Sequence, residues 1–449
     1  MLNNTSLSPK RIWLINIDDV IGAEHSIKIN QNYFYRYLML ANPGDIFITP
    51  IPISNSFIQY LRSIKNISSD SKDDILIIEL EKISTPYSLV NSLLEDHKAL
   101  SIIKNKIISS NHNYLLEPFI ESSSVNKLVQ EFSLPTRSFS PSQQNTNLID
   151  ELNDKYNWKR ICEFLNIKTI PYYFFTNIEE TINYLSLSMN KMFILKKTRS
   201  GGGYGNLAGN ASYLIDSLLN KSNNSNLIIK DYIIEDYITG NSENDIEILG
   251  SLVEITNDDI NFLGIDIQRI KNNSWNGATY PYKTNQSISD TIKCPSIKAA
   301  NYLQKMGVRG YLNIDWLIEH IDKENNINNI YSMECNLRHN GFSFLLNFMS
   351  GPNDPTDPNN KITFMPSCPL SNNFSIQSQN IYNLIECINN FFKQNNINFR
   401  LYACGPIQNN CLSILTYTST TYTNNELQII NNQLRNIFDI SQISNSDFF

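Results

Sequence analysis

Several features that would assign this sequence to a common class are missing from it. Its seven cysteines form no Cys-x-x-Cys pair and have no histidine partner at zinc spacing, so we expect neither a disulfide framework nor a zinc site, and a reducing cytoplasm is the simpler location. No apolar run reaches the roughly 20 residues that span a bilayer, and residues 1–10 are polar; we therefore expect neither membrane insertion nor secretion. The net charge of −7 argues against a protein dedicated to nucleic acids.

The chain of 449 residues is long enough for about three domains. In the first third, extended apolar runs at 11–18, 45–53, 74–80 and 114–120 alternate with helical patterns, which predicts a small parallel α/β domain. Two prolines and many polar residues between 134 and 147 indicate a linker. We therefore divide the chain into an α/β domain (1–147), a central domain (148–352) and a small α/β domain (353–449), with 351–373 as a linker or a mobile flap.

The central domain opens with a predicted helix at 149–165 and a short apolar strand at 191–197, which leads into Ser200-Gly201-Gly202-Gly203-Tyr204-Gly205-Asn206. Dense glycines let backbone N–H groups approach an anion, and Lys196 could reach the same anion. The spacing does not fit a Walker A loop, but Gly203-x-Gly205-x-x-Ala208 formally matches the dinucleotide pattern. An ordinary flexible loop explains the glycines equally well.

Two further strands each carry a glutamate. Glu235 stands in an apolar run that ends at Ile238, and Glu247 stands between Ile246 and Ile248. From the sequence alone, a solvated strand face is the better interpretation of either glutamate.

The stretch Met333-Glu334-Cys335-Asn336-Leu337-Arg338 places polar side chains at alternate positions. In a strand, Glu334, Asn336 and Arg338 would share one face, and the apolar residues would share the other. The strand-like run 310–320 precedes it across a polar turn, so a hairpin could bring Asp315 close to Glu334 and Asn336. Two carboxylates and an amide are hard oxygen ligands suited to Mg²⁺. The alternative, an ion pair with Arg338 alone, would leave one acid without compensation.

The order of these pieces resembles the ATP-grasp superfamily of carboxylate ligases: a strand ending in lysine, a glycine loop, a strand with glutamate, and a distal Asp…Glu-x-Asn-x-Arg hairpin. The resemblance covers about 148–350. Within the superfamily the chain is most similar to the pheganomycin-type peptide ligase group, on the basis of Asp266-Ile267-Gln268-Arg269, Gly277, Pro281 and the stretch ending at Arg338. That group tends to continue Gly-Gly-Thr-Thr-His-Pro, whereas 339–344 here read His-Asn-Gly-Phe-Ser-Phe. We expect this segment to determine substrate choice.

The resemblance implies a fold and a set of roles. The fold would be an ATP-grasp core preceded by a parallel α/β pre-ATP-grasp domain and followed by a small α/β domain. ATP phosphates would be bound by two lysines and the glycine loop: Lys155, Lys196, Gly201, Gly202, Gly203 and Gly205. Adenine would contact Glu235, Tyr237 and Ile238, and ribose would contact Glu247. Two Mg²⁺ ions would be held by Asp315, Glu334 and Asn336. Arg338 would hold the transferring phosphoryl group or the acyl phosphate and act with Lys196 in catalysis.

The resemblance also implies a reaction. ATP would phosphorylate a carboxylate to an acyl phosphate, and an amine would displace the phosphate to give an amide or peptide bond. The partners would be small molecules, with amino acids or peptides favoured, and a dimer would be the favoured assembly.

Two alternatives remain at this point: a nicotinamide-dependent oxidoreductase built on Gly203, Gly205 and Ala208, and an ATP-binding pseudoenzyme with a scaffolding role. The five histidines, His339 included, are interpreted as surface or packing residues.

Overall fold

The structure is a computed structural model, and it describes residues 9–21, 27–68, 74–85, 87–110, 113–136, 146–175, 177–199, 206–222, 232–238, 246–271, 274–282, 286–320, 327–349, 360–371, 381–419 and 422–439. The strands are β1 Lys10–Leu14, β2 Ile46–Thr49, β3 Leu76–Glu79, β4 Tyr114–Pro118, β5 Tyr172–Phe174, β6 Met192–Lys197, β7 Leu207–Asn210, β8 Tyr232–Asp236, β9 Ile246–Ile255, β10 Ile260–Lys271, β11 Ser274–Tyr280, β12 Gly310–His320, β13 Ile327–Asn336, β14 Asn360–Pro369, β15 Phe399–Ala403 and β16 Cys411–Ser419. The helices are α1 Asp18–Ile21, α2 Ile27–Leu38, α3 Asn55–Ile64, α4 Leu89–Glu95, α5 His97–Ser109, α6 Ser123–Phe132, α7 Thr146–Leu152, α8 Lys155–Phe164, α9 Ile178–Ser186, α10 Ala211–Ser222, α11 Gln286–Lys305, α12 Gly341–Met349, α13 Ile381–Gln394 and α14 Asn424–Leu434.

The chain forms two compact units, and the first contains residues 1–144, 277–281 and 339–449. Its amino-terminal part is a parallel sheet in the order β3-β2-β1-β4, so the predicted parallel α/β layer is confirmed. The strands are short and apolar because both faces of a parallel sheet are covered; Trp13 and Phe47 are fully buried. Ser54 caps α3 by accepting from the backbone N–H of Phe57, as its position before the apolar periodicity predicts.

The carboxyl-terminal part of this unit is antiparallel. Residues 278–280 of β11 pair with β14, which pairs with β16, which pairs with β15. The prediction that 351–373 is a linker or a mobile flap is wrong for its middle part, because Asn360–Pro369 is the regular strand β14. The prolines and polar residues suggested a loop, but pairing with β16 satisfies the backbone of this segment; residues 351–359 and 372–380 lie outside the described part.

The second unit contains residues 145–276 and 282–338. One of its sheets has the order β5-β8-β6-β7, with β6 antiparallel to both neighbours. One face of this sheet packs Phe193, Leu195 and Ile234 against the apolar sides of α9 and α10. Because strand side chains alternate between faces, Lys196 and Glu235 lie on the other face.

Four further strands of the second unit follow one another in the antiparallel order β13-β12-β9-β10. α11 lies against one face of them, where Ser296 and Ser251 join their hydroxyls at 2.8 Å and the Trp316 indole Nε1 donates to Ser251. This leaves Gly250, Asp315 and Glu334 on the opposite face. Although α11 has 20 residues, no helix in the described part of the chain is long and apolar enough to cross a membrane.

The predicted single helix at 149–165 is wrong, because the structure has two helices there. α7 ends at Leu152, and α8 begins at Lys155 with Asp154 as its N-cap. The Asp154 carboxylate accepts from the backbone N–H groups of Tyr156 and Asn157, which ends the first helix and starts the second. The Lys155 N–H donates to Thr198, just past β6, so the break fixes Lys155 beside the Lys196 strand.

Candidate active site

The predicted hairpin between β12 and β13 is confirmed, and its register brings the polar side chains together. Asp315 stands directly opposite Glu334, and Asn313 opposite Asn336. A bulge after Asp315 sets Trp316 opposite Ser332, so Met333 departs from the predicted alternation. It packs instead beside Leu317 and Tyr331.

Glu334 is held by an ion pair with the first residue of α8. Lys155 Nζ lies 2.9 Å from Glu334 Oε2, and the lysine side chain is 7% exposed. Burial alone would raise the pKa of Glu334, but the positive charges of Lys155, Lys196 and Arg338 lower it to about 2. Glu334 is therefore a carboxylate throughout the physiological range.

Asp315, unlike Glu334, has a raised pKa. Its carboxylate accepts from Asn313 Nδ2 at 2.7 Å, Gln268 Nε2 at 2.5 Å and Asn336 Nδ2 at 3.2 Å. Burial, and then the negative charge of Glu334, raise the pKa of Asp315 to about 7. Burial and the nearby Glu334 charge both disfavour the ionised form of Asp315, and an added cation would stabilise that form.

The donor set suits a hard cation. Two carboxylates and amide side chains supply oxygen, and no cysteine or histidine takes part. No group of three or more histidine, cysteine, aspartate or glutamate side chains in the described ranges has an arrangement that could hold a metal ion. An ion here would therefore complete its shell with an amide such as Asn336 and with oxygens that the protein does not supply.

A second buried charge array lies on the polar face of the β5-β8-β6-β7 sheet. Glu235 Oε1 is 2.8 Å from Lys159 Nζ, and Glu235 Oε2 is 2.7 Å from Lys196 Nζ. Burial would raise the pKa of Glu235, but the two lysines lower it below its usual value. Burial would lower the pKa of Lys196, but Glu235, Glu334 and Asp315 raise it. Lys196 is thus a fixed cation aimed at both groups of acids.

The segment after β8 lies beside a group of apolar side chains, which we call the apolar wall. The Tyr237 backbone N–H donates to the Met192 carbonyl at 3.1 Å. Ile238 packs with Ile246, Ile248 and Met333 against a cluster formed by Ile170, Leu317 and Tyr331. A flat apolar group could be held by such a wall, with its polar edge against the backbone of 236–238.

Arg338 lies close enough to Glu334 to help lower its pKa. Glu247, in contrast, lies on the other face of the strands. The Arg338 guanidinium and the Leu337 N–H both donate to the Asn153 side-chain oxygen. Glu247 pairs with Ile318 across β9 and β12 and accepts from the Tyr282 hydroxyl at 2.7 Å. Its register places it on the α11 face, opposite to Gly250 and Asp315. The four loop glycines, Gly201, Gly202, Gly203 and Gly205, lie outside the described residues.

Three residues of the site were missed by sequence reasoning. Lys159 follows Lys155 by one helical turn, so an i, i+4 pairing of the two lysines could have indicated it. Gln268 stands two positions after Asp266 in an alternating strand, and the same period-two argument could have found it. Asn153 becomes recognisable only when the break before α8 is known.

The segment 339–344, where the family resemblance fades, belongs to the first unit. His339 is 4% exposed, with Nε2 2.8 Å from Glu117 Oε1 and Nδ1 3.3 Å from Ser343 Oγ. Phe342 and Phe344 are also buried. His339 is thus buried and not at the surface; its interpretation as a packing residue and the role of this segment in substrate choice stay predictions.

Comparisons with known proteins identify the fold. No protein-family model matches the sequence, and no curated protein matches it. Similar solved structures include N5-carboxyaminoimidazole ribonucleotide synthetase from Thermus thermophilus (11% identity, 96% of this chain and 98% of that chain, TM-score 0.54). They also include an ATP-analogue complex of biotin carboxylase from Campylobacter jejuni (13%, 96% and 92%, 0.56) and L-amino acid ligase from Bacillus licheniformis (9%, 96% and 98%, 0.50). This chain therefore has the α/β architecture predicted for it, the ATP-grasp fold.

Proposed function

We propose that this protein is an ATP-dependent carboxylate–amine ligase that forms an amide or peptide bond through an acyl phosphate. The observation that carries the proposal is the buried lysine and acid array: Lys155 paired with Glu334, Lys196 paired with Glu235, and Asp315 opposite Glu334. Such an array offers cations for phosphates and oxygens for a metal within one unit. The structures with the same fold include one of an L-amino acid ligase, which supports amino acids or peptides as substrates.

ATP would be bound along the lysine face of the β5-β8-β6-β7 sheet. Lys155 and Lys196 would contact its phosphates, assisted by the backbone of Gly201, Gly202, Gly203 and Gly205. The backbone at Tyr237 and Ile238 would meet the adenine edge, with the apolar wall against its ring. The Glu235 side chain is fully buried between two lysines, so we assign it the positioning of Lys196; a ribose contact by Glu247 would need a rearrangement of its bond to Tyr282.

Asp315, Glu334 and Asn336 would hold Mg²⁺, in two ions by the family resemblance. The fit rests on the oxygen donors and on the position of Asp315, where burial and then the charge of Glu334 raise the pKa of its carboxyl. When bound, Mg²⁺ would neutralise the β- and γ-phosphate oxygens of ATP. Its binding would also favour the ionised form of Asp315.

The chain's own residues then account for the remaining chemistry. A substrate carboxylate attacks the γ-phosphorus and ADP leaves; Lys155 and Lys196 offset the charge repulsion, and Arg338 holds the transferred phosphoryl group. An amine then attacks the acyl carbon, the C–O bond to phosphate breaks, and the amine proton passes to the departing phosphate. The burial of Lys155, Lys196 and Glu235 limits water near the acyl phosphate.

The structure argues against the nicotinamide alternative. Ala208 lies inside β7, which pairs antiparallel with β6, and α10 begins only at Ala211. A dinucleotide fingerprint needs its third small residue at the strand-to-helix turn of a parallel βαβ unit. The scaffolding alternative leaves unexplained why two buried lysines are held beside the acids.

The test is ADP release with Mg²⁺ over mixtures of carboxylates and amines. Glu334→Gln keeps the shape but removes the charge that pairs with Lys155, so we expect ADP release to fall by about a hundredfold or more. Glu179→Gln, at an exposed position of α9, is the matched control and should behave as the wild type. ADP release unchanged by Glu334→Gln would contradict the proposal.

A further inference from the structure

Lys159 is a buried lysine to which the proposed reaction gives no role. It follows Lys155 by one turn of α8, and its side chain is 0% exposed. Its Nζ lies 2.8 Å from Glu235 Oε1 and 5.2 Å from the centre of the Tyr172 ring. Taking an ammonium group out of water costs free energy, and a carboxylate and an aromatic face both offset that cost. Lys159 is therefore held beside one particular acid.

Glu235 divides its two oxygens between two lysines. Oε1 faces Lys159, whereas Oε2 lies 2.7 Å from Lys196 Nζ. Burial would raise the pKa of Glu235, but the charges of Lys159 and Lys196 lower it. One carboxylate cannot neutralise two ammonium groups, so this array keeps one net positive charge.

The surplus charge can act on a ligand only through Lys196. The side chains of Lys159 and Glu235 are 0% exposed, whereas that of Lys196 is 12% exposed. Without Lys159, both oxygens of Glu235 could face Lys196, and the remaining pair would carry no net charge. A unit charge matters more in a buried array than at the surface, because little water screens it.

We propose that Lys159 is a positioning residue that leaves Lys196 with an uncompensated positive charge for the phosphates of ATP. It occupies one oxygen of Glu235, so Glu235 can orient Lys196 without neutralising it. Lys159 is itself closed to any ligand and acts through these two residues. The inference rests on the ATP site of the proposed function, but its test needs no ligase turnover.

The test is isothermal titration calorimetry of the full chain with ATP and Mg²⁺ and, separately, with adenosine. Lys159→Met removes the charge and keeps a long side chain, so we expect ATP to bind at least about tenfold more weakly. Adenosine has no phosphate and should bind as it does to the wild type. Equal weakening of ATP and adenosine would show a merely structural role and overturn the inference.

Lys191→Met is the matched control. Its lysine pairs with Asp236 and is 45% exposed, so solvent screens its charge, and we expect both ligands to bind as they do to the wild type.

A compensating variant gives a sharper answer. Lys159→Met combined with Glu235→Gln restores one net positive charge, and the glutamine still offers an oxygen to Lys196. This double variant should bind ATP more tightly than Lys159→Met, although it carries one more substitution in a buried array. A double variant that binds ATP no better than Lys159→Met would contradict the charge argument. If Lys159→Met does not fold, Lys159→Gln keeps a donor for Glu235 and makes the same change in charge.

The two proposals fail in different ways. A wild type that does not bind ATP would overturn the proposed function together with this inference. Equal ATP affinity in the wild type and Lys159→Met, with ADP release by the wild type, would refute only the role of Lys159.

Discussion

At the scale of single residues, the site depends on lysines and acids that hold each other in place. The shared face of Glu334 and Asn336 could be predicted from the sequence, because alternation in a strand is a local property, and the polar residues between β12 and β13 indicated the hairpin that sets Asp315 opposite Glu334. The pairing of Glu235 with Lys159 and Lys196 could not be predicted, because the three residues come from three elements. From the sequence a solvated face was the better interpretation of Glu235, whereas the structure buries it completely.

Glu235→Gln tests the charge array around that residue. Removing the carboxylate takes away the ion-pair partner of the buried Lys159 and leaves Lys196 with only Glu334 and Asp315 to offset its charge, so the free energy of unfolding should fall by about 3–5 kcal/mol. Asp236→Asn is the neighbouring control; it breaks a more exposed ion pair with Lys191 and should cost at most about 1 kcal/mol. Urea unfolding at pH 7 measures both.

The pH dependence gives the same array a second test. Because the pKa of Glu235 is lowered in the folded protein from the usual 4.5, its stabilising contribution is complete above about pH 4.5 and is lost as the pH falls through the folded pKa. The difference in unfolding free energy between wild type and Glu235→Gln should therefore shrink below about pH 4.5. A difference that stays constant down to the acid transition would show that Glu235 is not held as a carboxylate.

At the scale of elements, strands were predicted better than helix ends. The hairpin of β12 and β13 follows from alternation and a polar turn, but the bulge at Asp315 depends on how the strands fit together. The break between α7 and α8 was missed because Asn153 and Asp154 are compatible with a surface helix position. Only the bonds of Asp154 to Tyr156 and Asn157 show that it acts as a cap.

Asp154→Ala tests whether this cap positions Lys155. Loss of the cap should lower the unfolding free energy by about 1 kcal/mol and weaken ATP binding, because the first residue of α8 would fray. Asn177→Ala is the matched control, since Asn177 caps α9 in the same way by accepting from Glu180, and α9 carries no proposed ligand. Asp154 accepts two N–H groups and also lies 3.6 Å from Arg199 Nε, so we expect a loss of stability at least as large in Asp154→Ala as in Asn177→Ala. A weaker ATP affinity, measured by isothermal titration calorimetry, is expected only in Asp154→Ala. An equal effect of both variants on ATP affinity would remove the positioning role.

At the scale of the whole molecule, the sequence predicts three consecutive domains, and contacts in the structure group the chain into two units. The first unit combines segments that are far apart in the sequence. The Tyr60 and Tyr382 rings stack at 5.0 Å, the Ala403 N–H donates to the Tyr60 hydroxyl, and His339 contacts Glu117. Sequence patterns report local periodicity and composition, so such long-range contacts cannot be read from them.

A fragment of residues 1–147 tests whether the amino-terminal sheet and its helices fold without the rest of the chain. Phe57 and Tyr60 of α3 are buried, and both rings pack against Tyr382 of α13. In the fragment these aromatic side chains would be exposed as an apolar patch, and the loss of buried area would remove several kcal/mol from a small parallel sheet. We therefore expect the fragment to lack a cooperative thermal transition in near-ultraviolet circular dichroism, while the full chain shows one. Tyr60→Ala in the full chain, which should cost about 3 kcal/mol or more, gives the same contact an independent measure. A fragment that unfolds cooperatively, together with a small effect of Tyr60→Ala, would show that 1–147 is a domain in its own right.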